Sequence, residues 1–157
     1  KASSIEFDES GQAELLPIGS WEVVLQGSDV LLLAVGPLVY NALDASIELK
    51  KLGISCEVVN CRFIKPMDKA YLKSITKKFK NIFTIEEGNI HGGFGDGVAS
   101  WLLENGYEGK LKRLGLPDSF VEHGTRDQLL SMLGLDSLGI FSNVKKVLQP
   151  KSKTISL

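Results

Sequence analysis

From residue 29 onward the chain alternates short apolar runs with longer segments whose apolar residues recur every three or four positions. Two strand-like runs open the pattern, residues 21–26 (Trp-Glu-Val-Val-Leu-Gln) and residues 29–35 (Asp-Val-Leu-Leu-Leu-Ala-Val), parted by Gly27-Ser28. A two-residue break of this kind predicts a β-hairpin, with the first strand antiparallel to the second. The second run is apolar along nearly its whole length, as expected of a strand covered on both faces. Gly36-Pro37 ends it, and Leu38, Ala42, Ala45, Leu49 and Leu52 then follow at spacings of four, three, four and three. Those positions form one stripe on a helix, with Gly53 placed to cap its C-terminus.

Further pairs follow the same rhythm. Residues 54–60 read as a strand, and Asp68 is positioned to cap a helix carrying Tyr71, Leu72, Ile75 and Phe79. Residues 81–85 (Asn-Ile-Phe-Thr-Ile) form the next strand, and a glycine-rich loop leads from it to a helix with Val98, Trp101 and Leu102 on one face. Residues 110–114 give a last short strand, and helices at 125–133 and 137–148 close the pattern. Strand–helix alternation with crossovers of this length calls for an α/β fold, a three-layer αβα arrangement. Its five-stranded sheet is mostly parallel, with the first strand as one antiparallel edge. Residues 1–19 read as a linker or tail, 20–149 as a single domain, and 150–157 as a flexible tail. The chain opens on Lys rather than Met, which points to an upstream segment removed.

Charge and cysteine content narrow the function classes. A net charge of -1 gives no basic excess for nucleic acid or an anionic membrane, and no apolar run is long enough to span a bilayer. Cys56 and Cys61 fall five residues apart in or beside one strand, on opposite faces and roughly 16 Å apart, too far to bridge. Both read as small buried hydrophobes in a reducing, cytosolic compartment. The two histidines, His91 and His123, have no neighbours at metal-ligand spacing.

Chemistry concentrates in three segments. The first, residues 84–97 (Thr-Ile-Glu-Glu-Gly-Asn-Ile-His-Gly-Gly-Phe-Gly-Asp-Gly), lies at the carboxyl end of a strand and runs into a helix. Ligands of open α/β sheets bind there, and free backbone N–H groups at a helix start can receive an anion. It is no dinucleotide fingerprint, because Val98 or Ser100 stands where the third glycine is required, and no Gly-Lys-Ser/Thr follows to make a phosphate loop. The glycines equally allow a tight turn and close helix–sheet packing. Glu86 and Glu87, as neighbours in an extended segment, point to opposite sides and cannot face one bond together. One can face a cleft while the other is structural.

Residues 116–125 (Leu-Pro-Asp-Ser-Phe-Val-Glu-His-Gly-Thr) form the second segment, a loop in which Thr125 is placed as an N-cap with Asp127 and Gln128 in the first turn. The third, residues 61–68 (Cys-Arg-Phe-Ile-Lys-Pro-Met-Asp), follows a strand end and can direct Arg62 toward a partner or an anion. No nucleophile with a base can be assembled from these residues.

Together the three segments resemble the C-terminal domain of the transketolase-like thiamine diphosphate enzymes. The run Thr84-Ile85-Glu86-Glu87-Gly88 with Gly92-Gly93-Phe94-Gly95, then Leu116-Pro117-Asp118-x-Phe120-x-Glu122-His123-Gly124, is similar to the 1-deoxy-D-xylulose-5-phosphate synthase branch. Arg62-Phe63-x-Lys65-Pro66-x-Asp68, Leu16-Pro17-Ile18-Gly19 and Gly134-Leu135-Asp136-x-x-Gly139-Ile140 fit it too. The glycine-rich element alone also resembles 2-oxo-acid dehydrogenase beta subunits, an alternative that the segment at 116–124 disfavours. A stand-alone anion-binding module is the other alternative.

The resemblance implies a parent that condenses pyruvate with glyceraldehyde 3-phosphate, releasing carbon dioxide, for isoprenoid, thiamine and pyridoxal phosphate synthesis. It implies thiamine diphosphate and Mg2+ held by upstream domains, a homodimer, and a cytoplasmic or plastid-stroma location. This domain is then expected to hold no cofactor or metal, to be inactive alone, and to support the upstream domains and the dimer. Glu87, His91, Gly92, Gly93 and Gly95 are the expected interdomain-cleft residues, followed by Arg62 and His123.

Overall fold

The computed structural model describes residues 15–148. Residues 1–14 and 149–157 lie outside that range, and with them most of the expected linker and the whole C-terminal tail. In chain order the elements are β1 (Glu22–Leu25), β2 (Val30–Ala34), α1 (Leu38–Lys51), β3 (Cys56–Asn60) and α2 (Lys69–Ile75). They continue with β4 (Asn81–Asn89), α3 (Phe94–Glu104), β5 (Lys110–Leu116), α4 (Arg126–Leu133) and α5 (Ser137–Leu148). One five-stranded sheet has the order β1-β3-β2-β4-β5, parallel throughout except for the antiparallel β1–β3 pair.

Alternation along each strand sorts its side chains to two faces. Val30, Leu32, Ala34, Val58, Phe83 and Ile85 meet α1, α4 and α5 in one core. Leu31, Leu33, Val59 and Ile82 meet Trp21, α2 and α3 in the other. Covered on both faces, β2 is buried from end to end, which explains its unbroken apolar sequence. Cys56 and Cys61 fall into opposite cores, both as free buried thiols.

The expected hairpin does not form. β1 pairs with β3 rather than with β2, because β3 and β4 already occupy both edges of β2. The Gly27-Ser28 break is instead a crossing over the start of β3. Ser28, Asp29 and Val30 each present their backbone N–H to the Ser55 carbonyl, and the Asp29 carboxylate accepts from the Ser55 N–H at 2.7 Å. Gly27 lies so close to β3 that a Cβ there would run into the backbone of Cys56 and Glu57. The glycine is needed for the crossing, not for a hairpin turn.

Helix starts follow the expected signals closely, but α2 ends at Ile75, so Phe79, expected on that helix, is buried just past its end. The stripe of α1 buries Leu38, Ala42, Ala45 and Leu49, while Leu52 lies just past the helix and is half exposed. Asp68 caps α2, accepting from the Tyr71 N–H at 2.8 Å. Thr125 and Gln128 form a reciprocal capping box at the start of α4. Among the described residues no helix is long and apolar enough to cross a membrane.

Candidate functional site

β2 lies between β3 and β4; the connection from its own carboxyl end leads to α1 on one face, whereas those from β3 and β4 lead to α2 and α3 on the other. Such a reversal opens a crevice beyond the strand ends. A cavity of about 420 Å3 occupies this end, lined by Ile64, Lys65 and Met67 from the loop after β3 and by Glu86, Gly92, Gly93, Phe94 and Gly97 around the start of α3.

Behind its first wall, the loop after β3, stand Trp21 and Asp68. The two oxygens of Asp68 accept from the Tyr71 N–H at 2.8 Å and the Trp21 N–H at 3.0 Å, while the Trp21 indole donates to the Phe63 carbonyl at 2.8 Å. The Trp21 ring stands edge-on to Phe94, with centroids 5.6 Å apart. Gly19 packs against Pro66, which is joined to Lys65 by a cis peptide bond. Segments far apart in sequence, at 19–21, 63–68 and 94, are thereby locked into one unit.

The second wall centres on Glu86. The residue is 5% exposed, and its carboxylate accepts from the Phe94 N–H at 2.8 Å and the Gly95 N–H at 2.7 Å. A negative charge on the first N–H groups of a helix satisfies orphan donors and complements the helix dipole. Glycine is required around it. A Cβ on Gly93 would strike the Asn89 carbonyl and the Glu86 carboxylate, and one on Gly95 would strike the Thr84 hydroxyl. Asp96 pins the preceding loop by accepting from the Gly92 N–H at 3.1 Å and pairing with Arg113 at 2.6 Å. Arg113 also donates to the Ile90 carbonyl at 2.7 Å.

This arrangement argues against the alternative of an anion site at the start of α3. The N–H groups of Phe94 and Gly95 are filled by Glu86 and that of Gly92 by Asp96, so the helix start already holds its anion within the chain. Among the described residues no group of three or more His, Cys, Asp or Glu side chains could hold a metal ion. With the helix start filled, these residues do not fit thiamine diphosphate or Mg2+.

The expected site residues divide by position. Gly92 and Gly93 line the cavity, and Gly95 lies beneath Glu86. His91 is exposed beside it, its N–H donating to the Asn89 side chain at 2.8 Å. Glu87 points away from Glu86 and pairs with Arg126 at the start of α4. Arg62 is held by Ser20 at 3.4 Å and Glu22 at 3.6 Å, near the β1 edge. His123 stands apart, beside Gln128 and Met132 on α4. Glu86 was not among the expected residues, although Ile82, Thr84 and Glu86 share one strand parity that turns all three toward α3.

Burial shifts several titrating groups. It pushes the Cys56 thiol up to about 12, helped by the nearby Asp29 carboxylate. Burial, with the nearby Asp68 carboxylate, also pushes the Cys61 thiol well up. Tyr71 is raised by burial and by its hydrogen bond to Glu57, and Tyr107 is pushed up to about 12 by burial. None of these groups lines the cavity at the start of α3.

Residues 19–140 match the family described as transketolase, C-terminal domain. Over 150 residues, 95% of its length, the chain is 41% identical to 1-deoxy-D-xylulose-5-phosphate synthases of Bacillus cereus (strain AH187) and Bacillus anthracis (strain A0248). It spans 24% of the length of each of these relatives. Among solved structures it resembles a protein titled split gene transketolase, inactive beta4 tetramer, with a TM-score of 0.79 and 31% identity. That match covers 87% of this chain and 45% of the other.

Proposed function

The chain belongs to the transketolase C-terminal domain family, and on that premise we propose that it is the C-terminal domain of a 1-deoxy-D-xylulose-5-phosphate synthase. The observation that carries this reading is the 41% identity over nearly the whole chain to synthases four times its length. The parent condenses pyruvate with glyceraldehyde 3-phosphate and releases carbon dioxide. It serves isoprenoid, thiamine and pyridoxal phosphate synthesis as a cytoplasmic or plastid homodimer. Thiamine diphosphate and Mg2+, held upstream, supply carbanion stabilisation there.

This domain's own part is mechanical. The Trp21–Asp68 contact and the Glu86-capped helix hold the loops at 61–68 and 90–93 as a fixed surface toward the upstream domains. Glu87, His91, Gly92 and Gly93 present the centre of that surface, with Gly95 buried beneath it and Arg62 and His123 at its margins. The chain alone performs no turnover.

Substrate identity in the parent enzyme tests the assignment. The expected product from pyruvate and glyceraldehyde 3-phosphate is 1-deoxy-D-xylulose 5-phosphate, followed by mass spectrometry. Decarboxylation of a 2-oxo acid with transfer of the acyl group to a lipoyl carrier, and no sugar phosphate, would assign the parent to the dehydrogenases instead.

A further inference from the structure

Beyond the strand ends, residues 117–124 cross from β5 to α4 without regular structure. Both ends of this loop are tied down. The Leu116 carbonyl accepts from the Ile90 N–H at 2.9 Å, and the Thr125 N–H donates to the Gln128 side chain at 2.9 Å. Arg126 pairs with Glu87 on β4. At the tip Phe120 is wholly exposed, at 108%. A concavity of about 360 Å3 runs along the loop between Asn89 and Phe120.

A phenylalanine fully in water on a tethered loop buries no apolar area within this domain, whereas a buried aromatic anchor is the usual centre of a protein interface. Asp118 and Glu122, both exposed, flank it two residues away on either side. Like charges would face each other if two copies met through this loop, which disfavours self-association there. An apolar pocket with a cationic rim complements it. Synthases that share this sequence carry about three quarters of their length outside the matched region, so a neighbouring surface exists within the same polypeptide.

We propose that Phe120 is a docking anchor, inserting into an apolar, cation-rimmed pocket of the upstream part of the parent chain. The inference rests on the reading of this chain as the C-terminal domain of such a parent. Docking at Phe120 fixes the loop against its partner and, through Arg126 and Glu87, couples that contact to the carboxyl end of β4.

The test places a thiol beside the anchor, Ser119→Cys, and follows maleimide labelling by peptide mass spectrometry in the isolated chain and in the parent enzyme. Cys56 and Cys61 are buried and give little background. The expected result is slowing of labelling in the parent by about tenfold or more, which corresponds to ~1.4 kcal/mol of docking. Adding Phe120→Asp should restore the fast rate, with the melting temperature of the isolated chain unchanged. Equal rates in both settings, or protection that survives Phe120→Asp, would overturn the anchor. Protection that grows in the isolated chain with its concentration would also overturn it, assigning the contact to a second copy. Synthesis of 1-deoxy-D-xylulose 5-phosphate by the same parent is scored separately. An active parent in which the introduced thiol is unprotected refutes the anchor alone, and a protected thiol in a parent that makes no such product refutes the enzyme assignment alone.

Discussion

Two buried glutamates, on strands that flank β2, are satisfied by different kinds of donor. Glu57 on β3 is 2% exposed and is held mainly by side chains, the Lys78 ammonium at 2.5 Å and the Tyr71 hydroxyl at 2.7 Å, with the Gly27 N–H as a longer third donor at 3.4 Å. Glu86 on β4 meets backbone, the first two N–H groups of α3. A side-chain cage can adjust when one member is lost, and the Lys78 end is 44% exposed to water. Backbone donors at a helix start cannot turn elsewhere, and around Glu86 they are boxed in by glycines. The Glu57 region is therefore a tether between α2 and the sheet, whereas the Glu86 region sets the position of a whole helix end and the cavity beside it.

Substitutions can break this contrast. Glu86→Ala should have the largest effect, a loss of about 3 kcal/mol in urea unfolding, because two charge-assisted hydrogen bonds vanish and buried donors are left unpaired. Gly95→Ala should follow at about 2 kcal/mol, since its methyl group must displace the Thr84 hydroxyl. Lys78→Met should cost about 1 kcal/mol, the partial exposure of the ammonium screening its pairing with Glu57. Glu87→Ala, which breaks an exposed pair with Arg126, should change stability by less than ~0.5 kcal/mol. If Lys78→Met proved more damaging than Glu86→Ala, the contrast would be wrong.

A smaller effect sharpens the account on the alkaline side. The folded chain holds the Cys56 proton more tightly than the unfolded chain, up to about 12 against an ordinary 9.0. Its contribution is complete below pH 9 and is lost as pH rises from 9 through 12, because only the unfolded state releases the proton there. Melting temperatures recorded across that window should fall, and less steeply in Cys56→Ala than in the unsubstituted chain.

Much of this was legible in local sequence. The α1 stripe, the Asp68 cap and the Thr125–Gln128 box depend on neighbours within one or two turns, and each formed where its spacing placed it. Strand pairing depends on competition for edges, which is nonlocal. Gly27-Ser28 therefore read as a hairpin turn, when what it permits is close passage over Cys56 and Glu57. The choice between Glu86 and Glu87 needed the face on which α3 would settle, and the shared parity of Ile82, Thr84 and Glu86 carried that information. Trp21 could not be placed beside Phe63 and Asp68 from sequence, because that contact spans more than forty residues.

The central claim is that this chain supports chemistry housed elsewhere in its parent. The most direct measurement assays 1-deoxy-D-xylulose 5-phosphate formation from pyruvate and glyceraldehyde 3-phosphate, with thiamine diphosphate and Mg2+, by three samples. These are the chain alone, the upstream polypeptide of its gene alone, and the two co-expressed. The account predicts no product from the chain alone and turnover from the co-expressed pair. Product formed by the chain alone would contradict it.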